Sequence, residues 1–227
     1  MADDPFKHLI ISRKRKKYKF AHFDSYDNCF NLFSRDGAVY DSGKLWDYLG
    51  ADGELVVELA AGNGQFSLEL ARRHPSKRFV AIDIKSDRLY SSARKALAEG
   101  VTNVAFVRLQ IRNLLNLFSK KSIDTLWITF PDPHPKKRSS KHRLTHKKFL
   151  QYYRKILKDT GSLHFKTDNL PLFQWSLEQF ITNKWVLTEL SFDLHESDLS
   201  DDYKIKTYYE EMFTSQGIPT NFVTARK

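Results

Sequence analysis

The chain has 227 residues, and 37 Lys plus Arg against 27 Asp plus Glu leave a formal charge of +10. That length fits one large domain, or a domain with an appendage, and 41% apolar residues with 17 Phe, 10 Tyr and 4 Trp exclude a disordered basic tail. One cysteine, Cys29, excludes an internal disulfide, and no apolar run approaches the roughly 18 residues of a membrane span. The start, Met-Ala-Asp-Asp, lacks the basic-then-apolar form of a secretory signal. The expectation is a cytoplasmic protein with no membrane partner, whose surplus charge faces an anion.

The first 50 residues are polar, basic and aromatic without sustained periodicity, which reads as an N-terminal arm with one helix over 43–49. The arm carries six cations in the seven positions 13–19. From residue 54 the pattern becomes regular. Residues 54–60 (Glu-Leu-Val-Val-Glu-Leu-Ala) form a short apolar run ending in the turn Ala61-Gly62-Asn63-Gly64, and a helical stretch then runs to 74, before Pro75. Further strand candidates are 79–84, 104–109, 123–130 and 162–166, with a long strand over 185–194 and a last one over 221–227. Helices are expected over 86–99, closed by Gly100, then briefly before Ile123, then over 146–157 and 172–181. Strands alternating with helices imply an α/β fold with a mostly parallel sheet covered on both faces. No repeat or linker divides the chain, so its organisation reads as an arm over 1–50 and one domain over 51–227.

A second basic cluster, residues 136–148, holds Lys136, Lys137, Arg138, Lys141, Arg143, Lys147 and Lys148 and no acid. It follows Pro-Asp-Pro-His-Pro (131–135), itself directly after an apolar strand. Cations at the mouth of a sheet, beside an acid, suggest a polyanion site more than a solvated face.

Ligands of open α/β sheets bind beyond the carboxyl ends of the strands. The first such end, Glu58 to Gly64, fails the dinucleotide fingerprint because the third glycine position is Ser67. A carboxylate at Glu58 would repel a pyrophosphate and favour an ammonium or a sulfonium. Asp83 ends the next strand, where a carboxylate binds both hydroxyls of a ribose. A cofactor with ribose hydroxyls, a cationic tail and no phosphate is S-adenosyl-L-methionine. The plainer reading is that both acids cap helices or pair with cations.

In order, the chain carries Glu58-x-Ala60-x-Gly62-x-Gly64, Asp83, Phe130-Pro-Asp-Pro-His-Pro-Lys-Lys-Arg138, Lys141-x-Arg143-Leu144, His164-Phe-Lys-Thr-Asp-Asn169, Asp193-Leu194-His195 and Thr207-x-x-Glu210. Together these motifs resemble the bacterial tRNA (guanine-N(7)-)-methyltransferase family over about residues 54–216. The resemblance implies a Rossmann-like SAM-dependent methyltransferase fold with a seven-stranded sheet. It also implies methyl transfer to ring nitrogen 7 of the variable-loop guanine of tRNA. By position, Glu58, Gly62, Gly64, Asp83, Gln110 and Asp132 would line the cofactor site, with Asp132 catalytic. Lys136, Asp168, Thr207 and Glu210 would contact substrate; Arg138, Lys141 and Arg143 would touch RNA; no metal is implied. Three positions depart from the family: Ala60 for glycine, Gln110 for an acid or asparagine, and His134 for tryptophan.

Several of these residues have a structural reading as well. Thr207-x-x-Glu210 is a helix capping box, and Asp168 fits the N-cap of the helix after it. His164 and His195 read as satisfied structural histidines. Two rival functions stay open: methylation of an exocyclic amine, and RNA binding without catalysis. The sequence leaves monomer and homodimer equally open.

Overall fold

A computed structural model describes residues 15–33 and 42–227; Arg13 and Lys14 of the first basic run lie outside the described residues. The described part of the arm holds a helix, α1 (Arg15–His22), a three-residue strand, β1 (Cys29–Asn31), and α2 (Gly43–Leu49). The expected apolar run then forms β2 (Leu55–Leu59), every residue of which is buried. Its alternating side chains serve two cores: Leu55, Val57 and Leu59 join one apolar cluster, and Val56 joins the other. Two-sided burial is why the run is continuously apolar, and each such side chain is worth about 1.5–3 kcal/mol.

The chain continues through α3 (Gln65–Arg73), β3 (Arg78–Asp83), α4 (Ser86–Ala98), β4 (Val104–Arg108), α5 (Leu114–Leu117) and β5 (Ile123–Thr129). It ends with α6 (Lys147–Ile156), β6 (Leu157–Thr167), α7 (Leu170–Thr182), β7 (Val186–Ser191), α8 (Tyr208–Thr214) and β8 (Asn221–Arg226). The sheet order is β1-β4-β3-β2-β5-β6-β8-β7, with β8 alone reversed. From β2 the chain winds outward through β3 and β4, then returns to β5 on the other side. The carboxyl ends of β2 and β5 therefore flank the switch point of strand order, where a crevice opens. No described helix is long and apolar enough to cross a membrane.

Among the described residues the sheet has eight strands where seven were expected. The extra one is β1, whose Cys29–Asn31 pair in parallel with Phe106–Arg108. Three residues are too few to show a period. Strand β6 is also longer than expected, starting directly at the end of α6. Gly161 crosses the register shift at Ile123/Thr125, where a Cβ would lie 3.0 Å from the Asp124 carbonyl oxygen. Strand β7 is shorter than expected, with a bulge at Thr188.

Both polar caps can be assigned. Asn169, not Asp168, caps α7, its Oδ1 accepting from the Leu172 N–H at 2.9 Å. The capping box of α8 is formed: the Glu210 N–H donates to Thr207 Oγ1 and the Thr207 N–H to Glu210 Oε2, each at 3.2 Å.

Candidate active site

The loop after β2 turns through three left-handed residues, Ala60 (φ 56°), Gly62 (φ 58°) and Gly64 (φ 75°). At Gly64 a Cβ would sit 2.7 Å from the Phe106 ring, so only glycine fits. Ala60 takes the same backbone region with a side chain, at a cost of about 1–2 kcal/mol. The loop is tied to β3 by the Gly62 N–H, which donates to Asp83 Oδ2 at 2.9 Å. The Lys85 N–H donates to Asp83 Oδ1 at 2.8 Å. Burial raises the Asp83 pKa, and these two backbone bonds oppose the rise. Two ionised oxygens offer about four acceptor sites, so Asp83 keeps capacity for further donors.

Asp83 opens into a cleft of about 390 Å³ across the carboxyl ends of the central strands. Ala60 lines it from β2, Gln110 follows β4, and Phe130 and Asp132 follow β5. Ile84, 47% exposed, gives it an apolar wall beside Asp83. Acids and cations share this lining: Asp83 and Asp132 and the exposed Lys85, Arg88 and Arg112 all line the cleft.

Asp132 sits on a short loop between two further left-handed residues, Phe130 (φ 47°) and His134 (φ 44°). The Phe130 N–H donates to the Lys166 carbonyl at 2.9 Å, anchoring the loop to β6. The rings of His134 and His142 lie 5.6 Å apart on the same cleft.

Glu58 is not among the residues lining this cleft. It is 2% exposed, and its Oε2 accepts from the Ser67 N–H at 3.2 Å and from Ser67 Oγ at 2.5 Å. Its Oε1 accepts from Thr129 Oγ1 at 2.5 Å. The side chain thus joins β2 to α3 and β5. Burial pushes its carboxyl up to about 7 against these hydrogen bonds and the charge of Lys166.

Lys166, which the sequence reading left unassigned, is fully buried. Its Nζ donates to Glu210 Oε2 at 2.9 Å and to the carbonyls of Ile205 (2.8 Å) and Tyr203 (3.1 Å). His195 Nε2 meets Glu210 Oε1 at 2.9 Å, so both Glu210 oxygens are engaged inside the protein. Burial alone would raise the Glu210 pKa; the His195 hydrogen bond and the Lys166 charge outweigh it and hold the carboxyl below its ordinary value. Thr207 and Glu210 therefore stand in a closed network. Asp168, half-buried, follows β6 next to the Asp132 loop of β5, and burial raises its pKa.

Lys136, Arg138 and Lys141 are exposed, the last two on a 3-10 turn, Lys137–His142. Arg143 is turned inward against the Asp132 loop, its Nε donating to Pro133 O at 3.1 Å.

The expected cofactor fits this arrangement. The volume lies within the roughly 300–1,000 Å³ of small-molecule sites. Asp83, with acceptor capacity to spare, stands beside the apolar Ile84, and Asp132 lines the same cleft, a donor set that suits a ribose and a cationic centre.

A family model described as "Putative methyltransferase" matches residues 52–222. The fold is close to the crystal structure of a 16S rRNA methyltransferase, KamB, with a TM-score of 0.64 at 15% identity, over 82% of this chain and 94% of that one. Fold and cleft together are those of a methyltransferase. The tRNA (guanine-N(7)-)-methyltransferase of Bacteroides thetaiotaomicron is 35% identical over 94% of this chain and 86% of its own length. That of Brevibacillus brevis is 37% identical over 80% and 85%. The chain belongs to the tRNA (guanine-N(7)-)-methyltransferase family.

Proposed function

We propose that the protein transfers a methyl group from S-adenosyl-L-methionine to ring nitrogen 7 of the variable-loop guanine of cytoplasmic tRNA. The observation that carries this is the position of Asp132: at the end of β5, beside the switch point, in one cleft with Asp83 and Gln110. Residues 51–227 are the catalytic domain in this reading, and the first fifty an arm. Asp83 would hold the ribose hydroxyls, Gln110 and Ile84 the adenine, and the Gly62 loop the amino-acid end. When bound, the cofactor supplies an electrophilic methyl on a sulfonium.

Nitrogen 7 of guanine has a free lone pair at neutral pH, so no residue has to remove a proton. What the chain must supply is position, which in favourable cases is worth about 7–11 kcal/mol of a barrier. Asp132 suits that task. A carboxylate accepts hydrogen bonds from the two donors on the pairing edge of guanine, which adenine lacks as a pair. Lys136 and Asp168 would hold flanking groups of the substrate, and the exposed cations Arg138 and Lys141 its phosphates. Thr207 and Glu210 act here through α8, which their capping box starts.

The test is methyl transfer to unmodified tRNA, with the methylated atom mapped by aniline cleavage and mass spectrometry. Replacing the variable-loop guanosine should abolish transfer. Asp132→Ala should lower turnover by about 10²-fold or more while tRNA binding changes little. An exocyclic methyl amine without an aniline-sensitive site would refute the assignment.

A further inference from the structure

We propose that Arg143 is a positioning residue for Asp132 and not one of the phosphate contacts that its place in the basic run suggests. This rests on Asp132 being the residue that holds the base. Of the seven Lys and Arg between 136 and 148, six are exposed and Arg143 is half-buried. Its Nε donates to Pro133 O at 3.1 Å and to His134 O at 3.3 Å, and its Nη2 donates to His134 O at 3.1 Å. The guanidinium carbon lies 4.5 Å from the centroid of the Trp175 ring in α7. One edge of the fork is spent on two carbonyls and one face on an indole, so the protein itself fixes the place and plane of the guanidinium.

The loop that Arg143 grips needs a restraint. Asp132 is bracketed by Phe130 and His134, both left-handed without being glycine. Such a backbone persists only where its surroundings over-determine it. On the Phe130 side the restraint is the hydrogen bond to the Lys166 carbonyl. On the His134 side it is Arg143, with Ser139 Oγ donating to the same carbonyl at 3.4 Å. The Arg143 N–H also donates to Ser140 O at 3.0 Å, so the clamp is rooted in the turn that carries Arg138 and Lys141. Arg143 thereby joins three pieces: the basic turn, the Asp132 loop and α7. Lysine keeps the charge but has neither a planar fork nor a plane to stack.

The experiment compares Arg143→Lys with the wild type in two readouts. Hydrogen exchange at the amides of Phe130 and Ser139, which donate to Lys166 O and Lys136 O on either side of the loop, should quicken in the variant, with the global unfolding midpoint as a control for folding. In steady-state methylation of unmodified tRNA, kcat should fall at least about tenfold, since a 1 Å displacement can cost 10²-fold. KM for tRNA should stay within about twofold, and the slope of log KM against log salt should not change. Arg138→Ala and Lys141→Ala should act instead through KM and lower that slope by about 0.7–0.9 each. Unchanged loop exchange in Arg143→Lys overturns the clamp whatever kcat does. Faster exchange with wild-type kcat overturns its bearing on Asp132. A wild-type protein that methylates no tRNA refutes the functional reading instead, and the exchange arm still decides the clamp.

Discussion

Glu58 and Arg143 show what a residue's type leaves unsaid. Each stands in a motif where its charge suggests a ligand, and each side chain is engaged inside the protein. For Glu58 the consequence is a pH dependence of stability. The unfolded chain releases this proton near the ordinary value of about 4.5, whereas the folded protein keeps it to about 7. Between those values the folded state binds the extra proton, so this group lowers stability as pH rises through the window and adds nothing further above it. The full effect is on the order of 3 kcal/mol. Glu58→Gln should flatten that decline, measured as urea midpoints at pH 5 and pH 7.5. Parallel pH profiles for the two proteins would show that Glu58 does not titrate there. Asp83 and Asp132 both line the cleft from segments at the carboxyl ends of β3 and β5, whereas Glu58, one residue before the end of β2, is held by Ser67 and Thr129, a difference that position along a strand does not show. Sequence also gives no direction to a cation in a run of seven, or to Glu210, whose partners lie on β6 and in the segments that hold His195 and Thr207.

Among the elements, the central strands were readable in advance because two-sided burial writes them as apolar runs between turn residues. The exceptions have local causes. Strand β1 is too short for a pattern, and β6 follows α6 without a breaker because Lys158 pairs with Asp124 at 2.7 Å and extends the strand backwards. The buried pair of Lys166 and Glu210 ties α8 to β6, and its partners are completely covered. Desolvating two charges is tolerable only while both are present. Lys166→Met alone should therefore cost about 3–5 kcal/mol in chemical denaturation, and Lys166→Met with Glu210→Leu should recover much of the loss. A double variant no more stable than the single one would mean that Lys166 matters through its bonds to Tyr203 and Ile205 instead.

At the scale of the molecule, part of the surplus behind the charge of +10 stands exposed on residues 136–148. The cleft itself is mixed, with Asp83 and Asp132 lining it together with Lys85, Arg88 and Arg112. The six outward cations between 136 and 148 should dominate the salt dependence of tRNA binding. Neutralising Arg138 and Lys141 together should flatten log affinity against log salt by about 1.5, from roughly 0.7–0.9 per phosphate contact. An unchanged slope in a filter-binding titration would place the RNA elsewhere.

The reversed strand β8 carries a consequence of order in time. It lies between β6 and β7, yet follows both in the chain. Until β8 is in place, the facing edges of β6 and β7 have no native partner. Every partly folded form without β8 thus shows two open strand edges, and edges of that kind recruit other chains. Closing that gap is a long-range step of the slow type. Pairing of β8 with β6, with Asn221 opposite Thr167, completes the sheet beside the segment that holds Asp168.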